Sequence, residues 1–311
     1  MLKTSLILIK MNFIEKLPIP ITGVILALVS LGVICSDYHP YLKYIFGFGG
    51  CVFLILILTK AIFYSNEIKN DLKNPIILSS SGTFSMSLML LSTYIINFNP
   101  IFAYSIWILG ICLHILLMIY FTYNFIIHNF NINDVYPTYW IVFVGITMAA
   151  ITSHSHNIEE IGFIFFIFGF IAMLITLPLM IYRYINYKNI PTMNRSLICI
   201  FTALFSILIV GYSNTSENIS ITFIMILYCI SCLFYIFSLY KLLNYRKLDF
   251  YPSFSAFTFP FVISANATKQ IFLITKNTII NNLLTVELII SIIIVIYVLV
   301  NYLKYLKNSW K

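Results

Sequence analysis

Residues 250–269 read FYPSFSAFTFPFVISANATK. The stretch is long and apolar enough to cross a bilayer, for which about 20 mostly apolar residues suffice. Yet it holds five Ser or Thr residues, an asparagine, five phenylalanines and a central Pro260. Pro260 lacks the N–H that would serve the Ala256 carbonyl, and its ring bends a helix. In lipid an unserved carbonyl is costly, but a neighbouring hydroxyl or water can take over. The segment therefore reads as a crossing that meets a wet interior. Ser255, Phe259, Asn266 and Gln270 share one face at about 100° per residue. Phe259 then stands between polar positions, where a phenyl ring blocks a narrow water path, as hydrophobic constrictions do.

The rest of the chain has the composition such a crossing needs. Of 311 residues 61% are hydrophobic and 9% charged, against about half and a quarter in soluble domains. The net charge of +8 is spread through short loops, which argues against nucleic acid as a partner. The six cysteines fall in or beside apolar runs, as buried thiols do, and outline no secreted disulfide framework. Cys229 and Cys232 form a C-x-x-C inside an apolar helix, without the exposure and positive neighbours a reactive thiolate needs. The opening MLKTSLILIKMNFIEK reads as a cytoplasmic lead-in over residues 1–16, because Lys10 cuts its apolar run and no small-residue cleavage site follows.

A ruler of about 20 apolar residues marks ten crossings. They lie near 17–35, 40–62, 76–96, 101–127, 138–154, 159–182, 195–213, 218–240, 253–275 and 282–303. With the N-terminus inside, all but Lys43, Lys269 and Lys276 of the 18 Lys and Arg residues fall on the cytoplasmic side. That asymmetry places both termini in the cytoplasm. Prolines 18, 75, 137, 191 and 252 introduce the odd crossings at intervals of 54 to 62 residues, one helical hairpin each. The expected fold is all-α and polytopic, a single transmembrane domain of five repeated hairpins.

Hydroxyls separate the two members of a hairpin. The third crossing, IILSSSGTFSMSLMLLSTYII at 76–96, carries eight Ser or Thr residues, whereas LIISIIIVIYVLV at 288–300 carries one. Ser80, Ser81, Phe84 and Ser87 share a face of the third crossing, as do Thr202, Ser206 and Ser213 of the seventh. Small hydroxylated residues pack helices closely or line a cavity. Repeated stripes on odd crossings predict five inner helices around a neutral, hydroxyl-lined path, with even helices outside. No Asp or Glu falls in an odd crossing, and a path without fixed charge suits anions that must also leave.

The ninth crossing resembles that of the tellurite-resistance/dicarboxylate transporter family, which includes bacterial TehA and the plant guard-cell slow anion channels. LPIPITGV at 17–24, DLKNPIILSS at 71–80, YPTYWIVFVGI at 136–146 and GYSN at 211–214 fit its odd-helix signatures. The resemblance implies five hairpins around a quasi-fivefold pore, a homotrimer with one pore per subunit, and a phenylalanine plug at Phe259. It also implies small inorganic or carboxylate anions as partners beside the lipid bilayer of the cell membrane. Channels of the family pass chloride or nitrate; its transporters carry malate or sulfite. The expected function is thus a TehA-like anion channel, the alternative a carrier of C4-dicarboxylate, sulfite or a toxic oxyanion such as tellurite. The expected wall comprises Thr22, Gly23, Ser80, Ser81, Phe84, Ser87, Phe143, Thr202, Ser206, Ser255 and Asn266. Relatives tend to kink at a proline where this chain has Ser85, Phe143 and Leu204, and TehA has an aromatic where Thr22 stands, so the pore width is its own.

Other polar residues carry weaker expectations. Lys269 reads as snorkelling near the outer interface, and Glu287 as interfacial on the aliphatic tenth crossing. His154 and His156, two apart in SHSH, suit a metal only on extended backbone, and no metal or cofactor is expected. His114 reads as hydrogen-bonded inside the fourth crossing. No phosphate loop, paired-carboxylate or nucleophile motif points to an enzyme.

Overall fold

The structure, a computed structural model, describes residues 13–308. The lead-in through residue 12 and Lys3, Lys10 and Lys311 lie outside the described residues. The chain is 85% helical, with no strand among the described residues.

Helical segments occupy each expected crossing. They are α1 (Ile19–Cys35), α2 (Pro40–Phe63), α3 (Pro75–Ile95), α4 (Pro100–His128), α6 (Glu159–Asn186), α7 (Thr192–Thr215), α8 (Ile221–Tyr245), α9 (Pro252–Thr275) and α10 (Thr278–Asn308). The fifth, α5, is broken into Thr138–Phe143 and Thr147–Ser153. Eight are long and apolar enough to span a membrane; α1 is a shorter apolar helix. The largest boundary differences are at α6, α8 and α10, which run four or five residues beyond the expected apolar spans. A helix need not stop where hydrocarbon does, because the headgroup region adds several ångströms at each end.

Local chemistry sets the starts. Pro75 and Pro100 open α3 and α4 at first-turn positions where a missing N–H costs nothing. Before each stands a capping asparagine: Asn74 Oδ1 accepts from the N–H of Ile76 (2.9 Å), Asn99 Oδ1 from that of Phe102 (3.0 Å). Lys276, with φ 52°, ends α9 in a left-handed turn, and Asn277 caps α10 by accepting from the Ile279 N–H.

Each odd helix packs against the even helix that follows, giving five hairpins. The odd helices also touch one another in the order α1–α3–α5–α7–α9 and back to α1, a closed ring. Burial separates the layers. In α3, α7 and α9, 67–83% of the most apolar window is buried, against 28–39% in the even helices. The expectation of odd helices inside and even helices outside agrees with this packing.

At the face where α1 begins, buried Lys60 donates to the Leu17 carbonyl (2.8 Å) and to Asp71 (3.0 Å). That pair fastens the short surface helix Ser65–Asp71 to the start of α1. Arg183, also buried, donates to the carbonyls of Tyr187 and Asn133 and lies over the Tyr136 ring. At the opposite face Lys43 donates to the Thr93 carbonyl. Lys269 pairs there with Asp37, so its ammonium ends on a carboxylate in the α1–α2 turn, where snorkelling was expected.

Candidate functional site

Four of the five inner helices change form part-way along. α1 opens as a tight 3-10 turn over Ile19–Ile21 and α7 as one over Thr192–Ile200. α9 is a 3-10 segment, Pro252–Phe257, followed by an α-helix from Phe259. Only α3 runs through without a change of form.

The α9 break differs from a bent helix. Thr258 sits at φ −91°, ψ −83°, and Pro260 falls in the first turn of the restarted helix, where its missing N–H is no loss. Thr258 Oγ1 lies 2.7 Å from the Ser255 carbonyl and 3.2 Å from the Gly23 carbonyl of α1, a donor available to either. The α1–α9 approach is close at Gly23: a Cβ there would lie 3.2 Å from the Ser255 Cβ, a tight contact.

Where the ring closes, all five odd helices contribute to one cavity. Its wall includes Pro20 and Gly23 of α1; Ser80, Thr83 and Met86 of α3; and Trp140, Ile141, Val144 and Gly145 of α5. α7 adds Leu197, Ile200, Ala203, Leu204 and Ile207, and α9 adds Ser255, Ala256, Phe259 and Pro260. The free volume is about 50 Å³, room for a few waters at about 10–15 Å³ each on the same measure. No charged side chain is in the wall. Phe259, the first residue of the restarted helix, is 6% exposed.

Of the expected wall residues, Gly23, Ser80 and Ser255 meet at this cavity, together with Phe259, the expected plug, and Pro260. The others lie elsewhere. Thr22, Ser81 and Phe84 border a separate groove with Ile57 of α2 and Leu117 of α4. Phe143 faces outward among α4 and α6, with Phe168 and Ile171. Thr202 donates toward the Phe234 carbonyl of α8, and Ser206 Oγ lies 2.8 Å from Ser231 Oγ of the same helix. Ser87 donates to the Thr83 carbonyl and Asn266 is half-buried; neither is in the cavity wall.

The cavity wall is mainly aliphatic and aromatic, with three hydroxyls at Ser80, Thr83 and Ser255. A helical wheel gives relative angles but no absolute direction. In hydrocarbon a Ser or Thr can satisfy itself on a carbonyl three or four residues back, so a hydroxyl stripe need not face water. Ser79, Ser80, Ser81, Ser85, Ser87 and Ser92 all lie within hydrogen-bond distance of such carbonyls. Thr83 was the missed member of the wall. It follows Ser80 by three residues, and its Oγ1 lies 2.7 Å from Thr22 Oγ1.

The remaining polar candidates form helix contacts. His114 Nε2 lies 3.0 Å from the Val142 carbonyl and Nδ1 2.7 Å from Ser85 Oγ, tying α4 to α5 and α3. His154 bonds Glu159, while His156 bonds Ser92 and packs on Trp107; burial pushes the His156 ring below the usual histidine range. The two imidazoles therefore take separate partners. Glu287, expected at the interface, is 2% exposed and accepts from Thr268 Oγ1 of α9 at 2.8 Å.

If the cavity belongs to an ion pathway, Ser206 and Thr202 are outside it. Adding Ser206→Ala or Thr202→Val to a Phe259→Ala protein is expected to leave reconstituted anion flux and its selectivity unchanged. A changed chloride-to-nitrate flux ratio in either double variant would put those hydroxyls back on the path.

No curated protein matches the chain in direct comparison. The sequence pattern described as voltage-dependent anion channel matches residues 16–303. That range takes in every helix of the closed ring and every residue of the cavity wall, and the multi-pass chain belongs to the voltage-dependent anion channel (SLAC1) family, also called the tellurite-resistance/dicarboxylate transporter family.

Proposed function

We propose that the protein is a passive anion channel whose conduction path runs through the ring of odd helices, with Phe259 as its plug. Membership in a family of channels and transporters, rather than of enzymes, supports anion movement in general. The observation that carries the finer reading is a small cavity, walled by all five odd helices, with Phe259 next to the α9 break. Phe259 at this mainly apolar wall is placed to interrupt a water column, and hydrophobic gates close by dewetting. Uncharged walls let an anion leave as readily as it enters. Ser80, Thr83 and Ser255 are the side chains available to replace part of its hydration shell.

In this reading the protein resides in the cell membrane with both termini cytoplasmic, and works as a homotrimer with one path per subunit. The test is flux into liposomes with a panel from chloride and nitrate to sulfite and malate, wild type beside Phe259→Ala. Non-saturating flux that follows the electrical potential supports the channel. Saturable flux driven by a pH gradient would replace it with a carrier of C4-dicarboxylates, sulfite or a toxic oxyanion. Absence of flux for every anion in both proteins would end the transport reading.

A further inference from the structure

Glu287 is a carboxyl group in the wrong place for a bystander. It lies five residues past the start of the apolar span of α10 at residue 282, about 7.5 Å along the helix, within a chain whose hydrocarbon zone is about 30 Å thick. It is 2% exposed. The ion pairs Lys60–Asp71, His154–Glu159 and Lys269–Asp37 do not include it, and among the described residues hydroxyls, not a Lys, Arg or His, act on it. Lys269, the neighbour of Thr268 in sequence, is thus already engaged by Asp37.

Hydroxyls surround the carboxyl group instead. Thr268 Oγ1 of α9 donates to Glu287 Oε2 at 2.8 Å, and Tyr228 of α8 donates in turn to Thr268 Oγ1 at 3.3 Å. Ser264, one turn earlier on α9, is buried beside it, near enough for its hydroxyl to act on the carboxyl group. From α8 the titratable groups facing it are Tyr228, Cys232 and Tyr235; α9 offers only the two hydroxyls. The Tyr235 hydroxyl is buried without a hydrogen-bond partner. Its ring packs edge-on against Phe261, 5.3 Å between centroids and two residues beyond Phe259. The polar cluster therefore spans three helices and reaches the segment that carries the cavity's phenylalanine.

We propose that Glu287 is a proton-binding site outside the central cavity, and that its occupancy sets how α9 is held against α10. An ionised carboxylate is acceptor-only and holds the Thr268 hydroxyl by a charge-assisted hydrogen bond, the stronger kind, with the Ser264 hydroxyl beside it. A bound proton turns one oxygen into a donor, so the α9 hydroxyl at Thr268 loses its anionic acceptor. α9 is then free to move about the Thr258 break, taking Phe259 with it. Because Glu287 is not in the cavity wall, the proton it binds does not travel with the anion. Acid acts here as a ligand that opens, a role resting on the channel reading above.

Infrared difference spectra of the full-length purified protein, acid minus alkaline, test the site without any transport. A carboxylic-acid C=O band that shifts in D2O is expected in the wild type and absent in Glu287→Gln. Thr268→Val, which keeps the carboxyl and removes a donor to its ionised form, is expected to move the midpoint of that band to higher pH. Identical difference spectra for wild type and Glu287→Gln would overturn the site, as would an unmoved midpoint in Thr268→Val. The coupling is read as the ratio of anion flux at acid and alkaline pH. We expect a ratio of roughly fivefold or more in the wild type, the usual lower range for coupled sites, and a ratio of one, at the higher flux, in Glu287→Gln. A titrating band with equal flux ratios in both proteins overturns the coupling. Absence of flux in every protein overturns the channel reading, while the infrared bands still decide the proton site.

Discussion

Phe259→Ala should raise anion current per copy at the cell surface by roughly tenfold to a hundredfold. The ring is 6% exposed at a wall shared by all five inner helices. Full burial of such a side chain is worth about 1.5–3 kcal/mol, and about 1.4 kcal/mol is a factor of ten in a population. Truncation removes most of that preference for the closed arrangement and leaves a void that water can enter. Alanine keeps the backbone free to restart the helix, because Pro260, and not the ring, supplies the first-turn geometry. The measurement is macroscopic current in oocytes, or flux in liposomes, normalised to protein at the membrane. A variant present in normal amount with current at background would remove Phe259 from the gate.

Gly145→Ala should lower the stability of the folded protein by about 2 kcal/mol or more, the range of substitutions that force backbone strain. Gly145 stands in the gap of α5, where the N–H groups of both Val144 and Gly145 donate to the Trp140 carbonyl at 2.8 Å. A Cβ there would lie 2.1 Å from the Ile141 carbonyl oxygen and 3.0 Å from Met86 Sδ. The first is backbone, so relief requires moving α5 itself, and with it the wall residues Trp140, Ile141 and Val144. The check is the thermal midpoint and monodisperse yield of detergent-purified protein. Gly49→Ala is the control, since its added Cβ would meet only Leu28 Cδ1 at an ordinary 3.8 Å. In that helix interior the change should be neutral or slightly stabilising. If Gly145→Ala and Gly49→Ala melt alike, the α5 break does not depend on the missing side chain.

The ten helical segments, their pairing and the division into inner and outer layers follow from the sequence alone. Lipid leaves so little choice that apolar length places a helix, and Pro75 or Pro252 marks where one starts. Phe259 was legible for a similar reason: a proline beside an aromatic amid hydroxyls is hard to place in hydrocarbon. Its arrival at a wall shared by five helices required the fold. Tertiary structure alone decided which way each hydroxyl points. Ser80 and Ser81 are adjacent in sequence and both reach their own helix's carbonyls, yet one borders the cavity and the other an outer groove. Ser206 found Ser231, and Glu287 found Thr268, because a buried polar group takes the nearest partner on whichever helix packs beside it. Periodicity specifies a helix's faces, but packing assigns each face its neighbour.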